Sequence, residues 1–236
     1  NGPNLDIALD PLEGTNFVAK NLPNAISVLA VSEKGNLLSA PDTYMEKIAI
    51  GSNLPKNLLN LDNSINKNIE LLAEAKNTVP EKLTACILDR PRHSKIIKDL
   101  RELKVKINSI SDVDVYGAIS VIEENSPVDI YLGTGGGPEG VLAAAALSCF
   151  GAQMQCRLVL NNEEVKRASK LGIVDFNKQY SIDEIVKGDV IFCATGITDG
   201  ELVNGVKKDK NNYTVQTYAL HKSSKFNKKV TNIIKK

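Results

Sequence analysis

The sequence predicts an α/β protein. From residue 83 onward, short apolar runs alternate with stretches of helical spacing, the pattern of strands and helices packed in layers. Before that point, a strand, a turn and a second apolar stretch predict an antiparallel or mixed sheet. The 236 residues are 42% hydrophobic and 24% charged, an ordinary globular balance with enough chain for a sizeable core. The change of pattern around Pro80 suggests two parts, 1–80 and 81–236.

Residues 5–9, Leu-Asp-Ile-Ala-Leu, read as a short strand, and Pro11 just beyond is expected to turn the chain out of the ladder. Residues 25–31 read as a buried strand, with Lys34-Gly35-Asn36 turning into a hairpin partner. Residues 51–63, rich in Asn, Gly, Pro and Leu, form a loop. Ile65, Ile69, Leu72 and Ala73 then fall at helical spacing and predict a helix over 64–76. A strand at 83–88, a helix at 94–103 capped by Ser94 and a strand at 105–107 follow. Next come a helix at 118–123, a strand at 128–132, a helix at 138–150, a strand at 154–160 and a helix at 162–170. A short helix starts at Ser181, and strands are predicted at 190–194 and 213–220. The tail, with Lys222, Lys225, Lys228, Lys229, Lys235 and Lys236, reads as a solvated terminus.

Composition excludes several functions. The formal net charge of +1 provides no general attraction to nucleic acid or to a membrane surface. There is no Trp and aromatics are 5% of the chain, which argues against a base-stacking surface. No apolar run approaches membrane-spanning length. Cys86, Cys149, Cys156 and Cys193 form no Cys-x-x-Cys pair and only two His are present, so a zinc site is not expected. Reduced thiols in a cytoplasmic protein are the expectation.

Four constellations carry chemistry. The first is Asp10-Pro11-Leu12-Glu13-Gly14-Thr15 at the end of the first strand. Two carboxylates three residues apart, with a hydroxyl two residues on, make an oxygen-only site suited to Mg2+ or Mn2+. Gly14 permits a backbone conformation denied to other residues. The second is Gly133-Thr134-Gly135-Gly136-Gly137-Pro138-Glu139-Gly140, between a strand and a helix. Gly135, Gly137 and Gly140 satisfy a dinucleotide-binding spacing. However, Glu139 would set a carboxylate where a pyrophosphate must sit, and Pro138 removes a donor. Glu139 on a buried helix, apolar all round, reads better as a cation ligand, with a plain helix-dipole carboxylate as the alternative. The third is Asp89-Arg90-Pro91-Arg92-His93, where two Arg around a Pro form a fork for phosphate; a lone His93 carries little weight as a base. The fourth is Ser111-Asp112-Val113-Asp114-Val115-Tyr116-Gly117, whose alternate carboxylates either accept from sugar hydroxyls or cap the next helix. Tyr44 has the same open status.

Taken in order, these motifs resemble those of class II fructose-1,6-bisphosphatases, the bacterial type within the metal-dependent, lithium-sensitive sugar-phosphatase superfamily. The resemblance runs from Asp6 to about Tyr218 and includes Ala40-Pro-Asp-Thr-Tyr-Met-Glu-Lys47 and Ala194-Thr-Gly-Ile-Thr-Asp-Gly200. It implies a layered α/β/α/β/α sandwich, here with the first layer incomplete at the N-terminus. It implies that Asp10, Glu13 and Glu139 ligate Mn2+ or Mg2+, and that these and Thr15 are the catalytic set. Glu13, Gly14, Thr15, Tyr44, Arg90, Pro91, Arg92, Asp112, Val113, Asp114 and Gly136 match substrate-binding positions. The implied reaction is removal of the 1-phosphate of fructose 1,6-bisphosphate in gluconeogenesis, with sedoheptulose 1,7-bisphosphate a further substrate of some relatives. Family members carry several tens of residues before the first strand, including two more acidic ligands, so the chain is expected to be N-terminally truncated and its full-length form a homo-oligomer. The alternatives are an inositol or other sugar monophosphatase, and an inactive fragment or binding relative.

Overall fold

A computed structural model describes residues 2–236. In chain order the elements are β1 (Leu5–Glu13), α1 (Thr15–Ala19), β2 (Ile26–Glu33), β3 (Tyr44–Ile50), α2 (Ile65–Ala75), β4 (Thr84–Leu88), α3 (Ser94–Glu102) and β5 (Lys106–Ile110). They continue with α4 (Asp114–Ile119), β6 (Ile130–Gly136), α5 (Gly137–Ser148), β7 (Gln153–Val159), α6 (Asn162–Lys170), β8 (Gln179–Ser181) and α7 (Ile182–Ile185). The last four are β9 (Val190–Gly196), β10 (Lys207–Lys208), β11 (Asn212–His221) and β12 (Phe226–Lys235).

The strands form two six-stranded sheets. The first runs β1-β2-β9-β11-β10, with β12 also on β11, and is antiparallel throughout. The second runs β5-β4-β6-β3-β7-β8, with β4 parallel to β5 and β6. Each sheet takes strands or helical cover from both sides of Pro80 in an interleaved order. The first sheet joins the start of the chain to its end, and the second is built from the middle.

Helix α5 joins the two sheets. Its Val141, Leu142, Ala143, Ala144, Ala145, Ala146 and Leu147 are all buried, and they share one core with Val28 and Phe192 of the first sheet and Met45 and Tyr131 of the second. An all-round apolar helix has no face to give to water, so it belongs between layers. Four consecutive alanines keep it thin enough for both sheets to close on it. A second core lies on the far side of the second sheet, where α2 and α3 place Ile69, Leu72 and Leu100 against Ile48, Ile50 and Ile130. The layers therefore run sheet, helices, sheet, helices. The outer face of the first sheet lies open: Ile7, Val31, Ile191, His221 and Phe226 form one cross-strand row on it, with Ile7, Ile191 and Phe226 exposed. This is the α/β sandwich that the sequence predicted.

Several local expectations are corrected. Pro11 does not end β1; the strand continues to Glu13 through a bulge, Asp10 facing Val28 and Glu13 facing Ile26. Pro is tolerated because β1 is an edge strand and the bulge asks for no ladder donor there. The turn at Lys34-Gly35-Asn36 does not close a hairpin. β2 pairs back with β1, whereas β3 crosses to the second sheet. Ser94 is not the cap of α3 but its first residue, entered through a single 3-10 turn at Pro91–His93. The helix expected at 118–123 begins earlier, at Asp114. The glycine stretch is strand through Gly136, paired along β3, because its neighbour supplies the packing that propensity withholds. The lysine-rich tail is β12, held to β11 by its backbone while its side chains stay mostly in water.

Replacing Ala145 by Leu should lower stability by about 1–3 kcal/mol, because α5 has no free side on which to place the added methylenes. Denaturant midpoints read this directly, and an unchanged midpoint would contradict the placement of α5 between two closed layers.

Candidate active site

The bulge at the end of β1 builds the acidic side of the site. Asp10 Oδ1 accepts the Leu12 N–H at 3.0 Å, bending the chain around Pro11. The extra residue re-aims Glu13 inward, where it is 5% exposed. Gly14 follows at φ 90°, a left-handed conformation, and a Cβ there would stand 3.1 Å from Val113 Cγ2 and 3.3 Å from Ala25 Cα. Both the conformation and the close approach require glycine. Thr15 then opens α1.

Glu13 Oε1 accepts the Val115 N–H at 2.7 Å, while Oε2 is buried with no hydrogen-bond partner among the described residues. Burial holds its carboxyl well above the usual range, the Val115 N–H opposes this, and the charges of Asp114, Asp10 and Glu139 add to it. Glu139, in the first turn of α5, is also raised. Burial is the main cause, its own N–H and Lys47 oppose it, and Asp114 and Asp10 add to it. Its carboxylate folds back into the space that the absent side chain of Gly136 leaves.

The rest of the site comes from the ends of β4, β5 and β6. Val113 takes φ 70°, strained for a β-branched residue, and this sets Asp114 as the first residue of α4. Asp114 is buried, ion-paired with Lys47 of β3 and hydrogen-bonded by the Tyr131 hydroxyl of β6. Asp112 Oδ1 accepts the Val113 N–H at 3.0 Å. Arg90 Nη1 donates to the Ser111 carbonyl at 2.6 Å and to the Asp89 carbonyl at 3.0 Å. Arg92 donates through Nε and Nη2 to the Thr134 carbonyl at 2.9 and 2.7 Å, and its guanidinium lies 4.7 Å from the centre of the Tyr44 ring. The fork is thus oriented by carbonyls and one aromatic face.

One cleft of about 370 Å3 is lined by Asp10, Glu13, Gly14, Thr15, Tyr44, Arg90, Arg92, Asp112, Asp114, Gly136 and Glu139. Two predicted residues are not in its lining. Pro91 starts the 3-10 turn that spaces the two arginines, and the buried Val113 packs beneath Gly14. A buried carboxylate oxygen without a partner, among three more carboxylates, is a donor set that suits a hard divalent cation. No group of three His, Cys, Asp or Glu among the described residues is gathered closely enough to hold one unaided; Mg2+ and Mn2+ characteristically keep water and take substrate phosphate as further ligands.

Lys47 and Tyr131 escaped the sequence reading. Period-2 alternation offered the signal, since Met45 and Lys47 share a strand face and a buried Met45 implies a buried Lys47. His93 proves structural: Nδ1 donates to the Leu88 carbonyl at 2.7 Å and Nε2 accepts the Thr134 N–H at 2.8 Å. The ring clamps the arginine turn to β6, and burial lowers its pKa.

The neutral His93 ring stabilises the fold above its unfolded pKa of about 6.5, and that contribution fades as pH falls through 6.5 toward the lower folded value. Between about pH 7 and 5, the wild type should therefore lose more stability than His93→Asn does. Parallel stability profiles for the two proteins would contradict a buried neutral clamp.

A family model described as bacterial fructose-1,6-bisphosphatase, glpX-encoded, matches residues 1–234. The chain is 36% identical over 235 residues to the D-fructose 1,6-bisphosphatase class 2/sedoheptulose 1,7-bisphosphatase of Trichodesmium erythraeum (strain IMS101), covering 94% of this chain and 68% of that one. It is 37% identical over 231 residues to the fructose-1,6-bisphosphatase 2 class 2 of Escherichia coli (strain K12), covering 92% and 71%. It is 40% identical over 217 residues to the D-fructose 1,6-bisphosphatase class 2/sedoheptulose 1,7-bisphosphatase of Synechococcus sp. (strain JA-3-3Ab), covering 86% and 62%. With that match along nearly its whole length, the chain belongs to the bacterial, glpX-encoded fructose-1,6-bisphosphatase family.

Proposed function

We propose that this cleft hydrolyses the 1-phosphate of fructose 1,6-bisphosphate with Mn2+ or Mg2+, giving fructose 6-phosphate and phosphate for gluconeogenesis in the cytoplasm. One observation carries the reading: carboxylates and an arginine fork line the same cleft of about 370 Å3. A bisphosphate needs two anion sites of different character, one to react and one to hold. Asp10, Glu13 and Glu139 would hold the cation. When bound, it neutralises charge on the phosphoryl oxygens and activates water. Thr15, exposed beside Glu13, orients the attacking water. Arg92, braced on Tyr44, and Arg90 grip the distal phosphate, while Asp112 and Asp114 accept from sugar hydroxyls. Sedoheptulose 1,7-bisphosphate presents the same two ends, and two relatives carry its name. An inositol or other monophosphatase would have no use for the fork.

Glu13→Gln in the full-length natural protein should cut phosphate release by about 100-fold or more, since the amide loses the charge that holds a cation. Its oxygen can still accept from Val115, and removing a disfavoured buried charge should leave the melting temperature equal or higher. Turnover near that of the wild type would sink the role.

Arg92→Ala should raise KM for the bisphosphate by about 10- to 150-fold, from roughly 1.5–3 kcal/mol for a hydrogen bond to a charged group, with much less effect on a monophosphate surrogate. Equal damage to both substrates would show that the fork does not read the second phosphate.

A further inference from the structure

We infer that Lys47 is a positioning residue: together with Tyr131 it fixes the Asp114 carboxylate in the cleft, and through the Asp114–Val115 backbone it fixes Glu13. The inference rests on the reading of the cleft as a sugar-bisphosphate site. Lys47 lies within β3 and is 1% exposed, and its ammonium meets Asp114 Oδ2. Asp114 Oδ1 accepts from the Tyr131 hydroxyl, itself fully buried. Lys47 is not among the residues lining the cleft, so it acts through Asp114 and not on the substrate.

The packing is arranged around this triad. A Cβ on Gly135 would overlap the Asp114 carboxylate; one on Gly140 would overlap Met45 Sδ and stand 3.1 Å from Lys47 Cε, and one on Gly117 would press on Ile110 Cδ1 and stand 3.0 Å from Tyr131 Cε2. The Asp114 carboxylate therefore occupies volume that the missing side chain of Gly135 provides, while Lys47 and Tyr131 pack closely against Gly140 and Gly117. A buried ion pair of this kind adds little stability over a well-packed apolar replacement, whereas losing one partner leaves an uncompensated charge. Gly135, which costs strand propensity, serves to seat it. The consequence reaches Glu13. Asp114 opens α4, and the next N–H, that of Val115, is the donor that holds Glu13 Oε1 at 2.7 Å. Lys47 also favours the ionised form of Glu139, so its charge acts on both sides of the cleft.

The test compares Tyr131→Phe, Lys47→Met and the double variant Lys47→Met/Asp114→Asn with the wild type, all in the full-length natural protein. Tyr131→Phe removes one hydrogen bond without leaving a hole; KM for fructose 1,6-bisphosphate should rise about 3- to 10-fold with kcat within about twofold. Lys47→Met should raise KM by about 10-fold or more, weaken Mn2+ binding measured calorimetrically without substrate, and lower the melting temperature. The double variant removes both charges, so the melting temperature should recover while KM stays high. A KM that is unmoved in Tyr131→Phe, or that returns with the melting temperature in the double variant, would overturn the positioning role in favour of a purely structural one. If the wild type turns over the bisphosphate and KM does not move, only this inference falls. If the wild type shows no turnover, the bisphosphatase reading falls and takes this inference with it.

Discussion

Like charges crowded into a half-buried cleft repel, and the site depends on holding Asp10, Glu13, Asp114 and Glu139 together in spite of that. Burial and mutual repulsion act in the same direction on Glu13 and Glu139, both pushed toward the protonated form. What opposes them within the chain is small and specific: the Val115 N–H on Glu13, the start of α5 on Glu139, and the Lys47 ammonium against Asp114. One buried oxygen of Glu13 has no partner among the described residues. A site in this condition favours whatever cation enters it, which is the electrostatic logic of a metal-assisted phosphatase.

The fold keeps these groups from relaxing apart. The β1 bulge with the left-handed Gly14, the strained Val113 and the first turn of α5 fix the carboxylates from three elements, Asp10 and Glu13 from β1, Asp114 from α4 and Glu139 from α5. Both sheets pack onto α5, so Glu139 cannot retreat without opening two layers. On the other side, His93 ties the arginine turn to β6, and Arg92 ties itself to the Thr134 carbonyl next to that clamp. The positive-φ, β-branched Val113 and the unpartnered Glu13 oxygen both lie at the cleft and are supported by an apolar core.

Much of this was legible in the sequence. Eleven of the thirteen residues singled out line one cleft; Asp10, Glu13, Glu139 and the two arginines stood out by residue type at strand ends, whereas Tyr44, Asp112, Asp114 and Gly136 were assigned through the family resemblance. Helix α2 was readable because Ile65, Ile69, Leu72 and Ala73 fall at helical spacing, and the structure adds the cap at Ser64. The misses have a common cause in tertiary context overriding local preference. Pro11 looks like a strand breaker unless the strand is known to be an edge with a bulge. The glycines 133–136 look like a loop until β3 pairs with them. The lysines of β12 look like a tail until β11 supplies the ladder. Lys47 looks like an ordinary surface charge, because nothing local to it shows that Asp114, distant in sequence, completes a buried pair.

The central claim is that the acidic side of the cleft, Glu139 included, binds a divalent cation. It is tested most directly by the melting temperature of the full-length natural protein with and without saturating Mn2+, beside that of Glu139→Gln. A ligand that binds only the folded state at about 100 times its Kd adds roughly 2.7 kcal/mol. The account predicts a clear rise for the wild type and a much smaller one for Glu139→Gln. Equal shifts in the two proteins, or none in either, would contradict it.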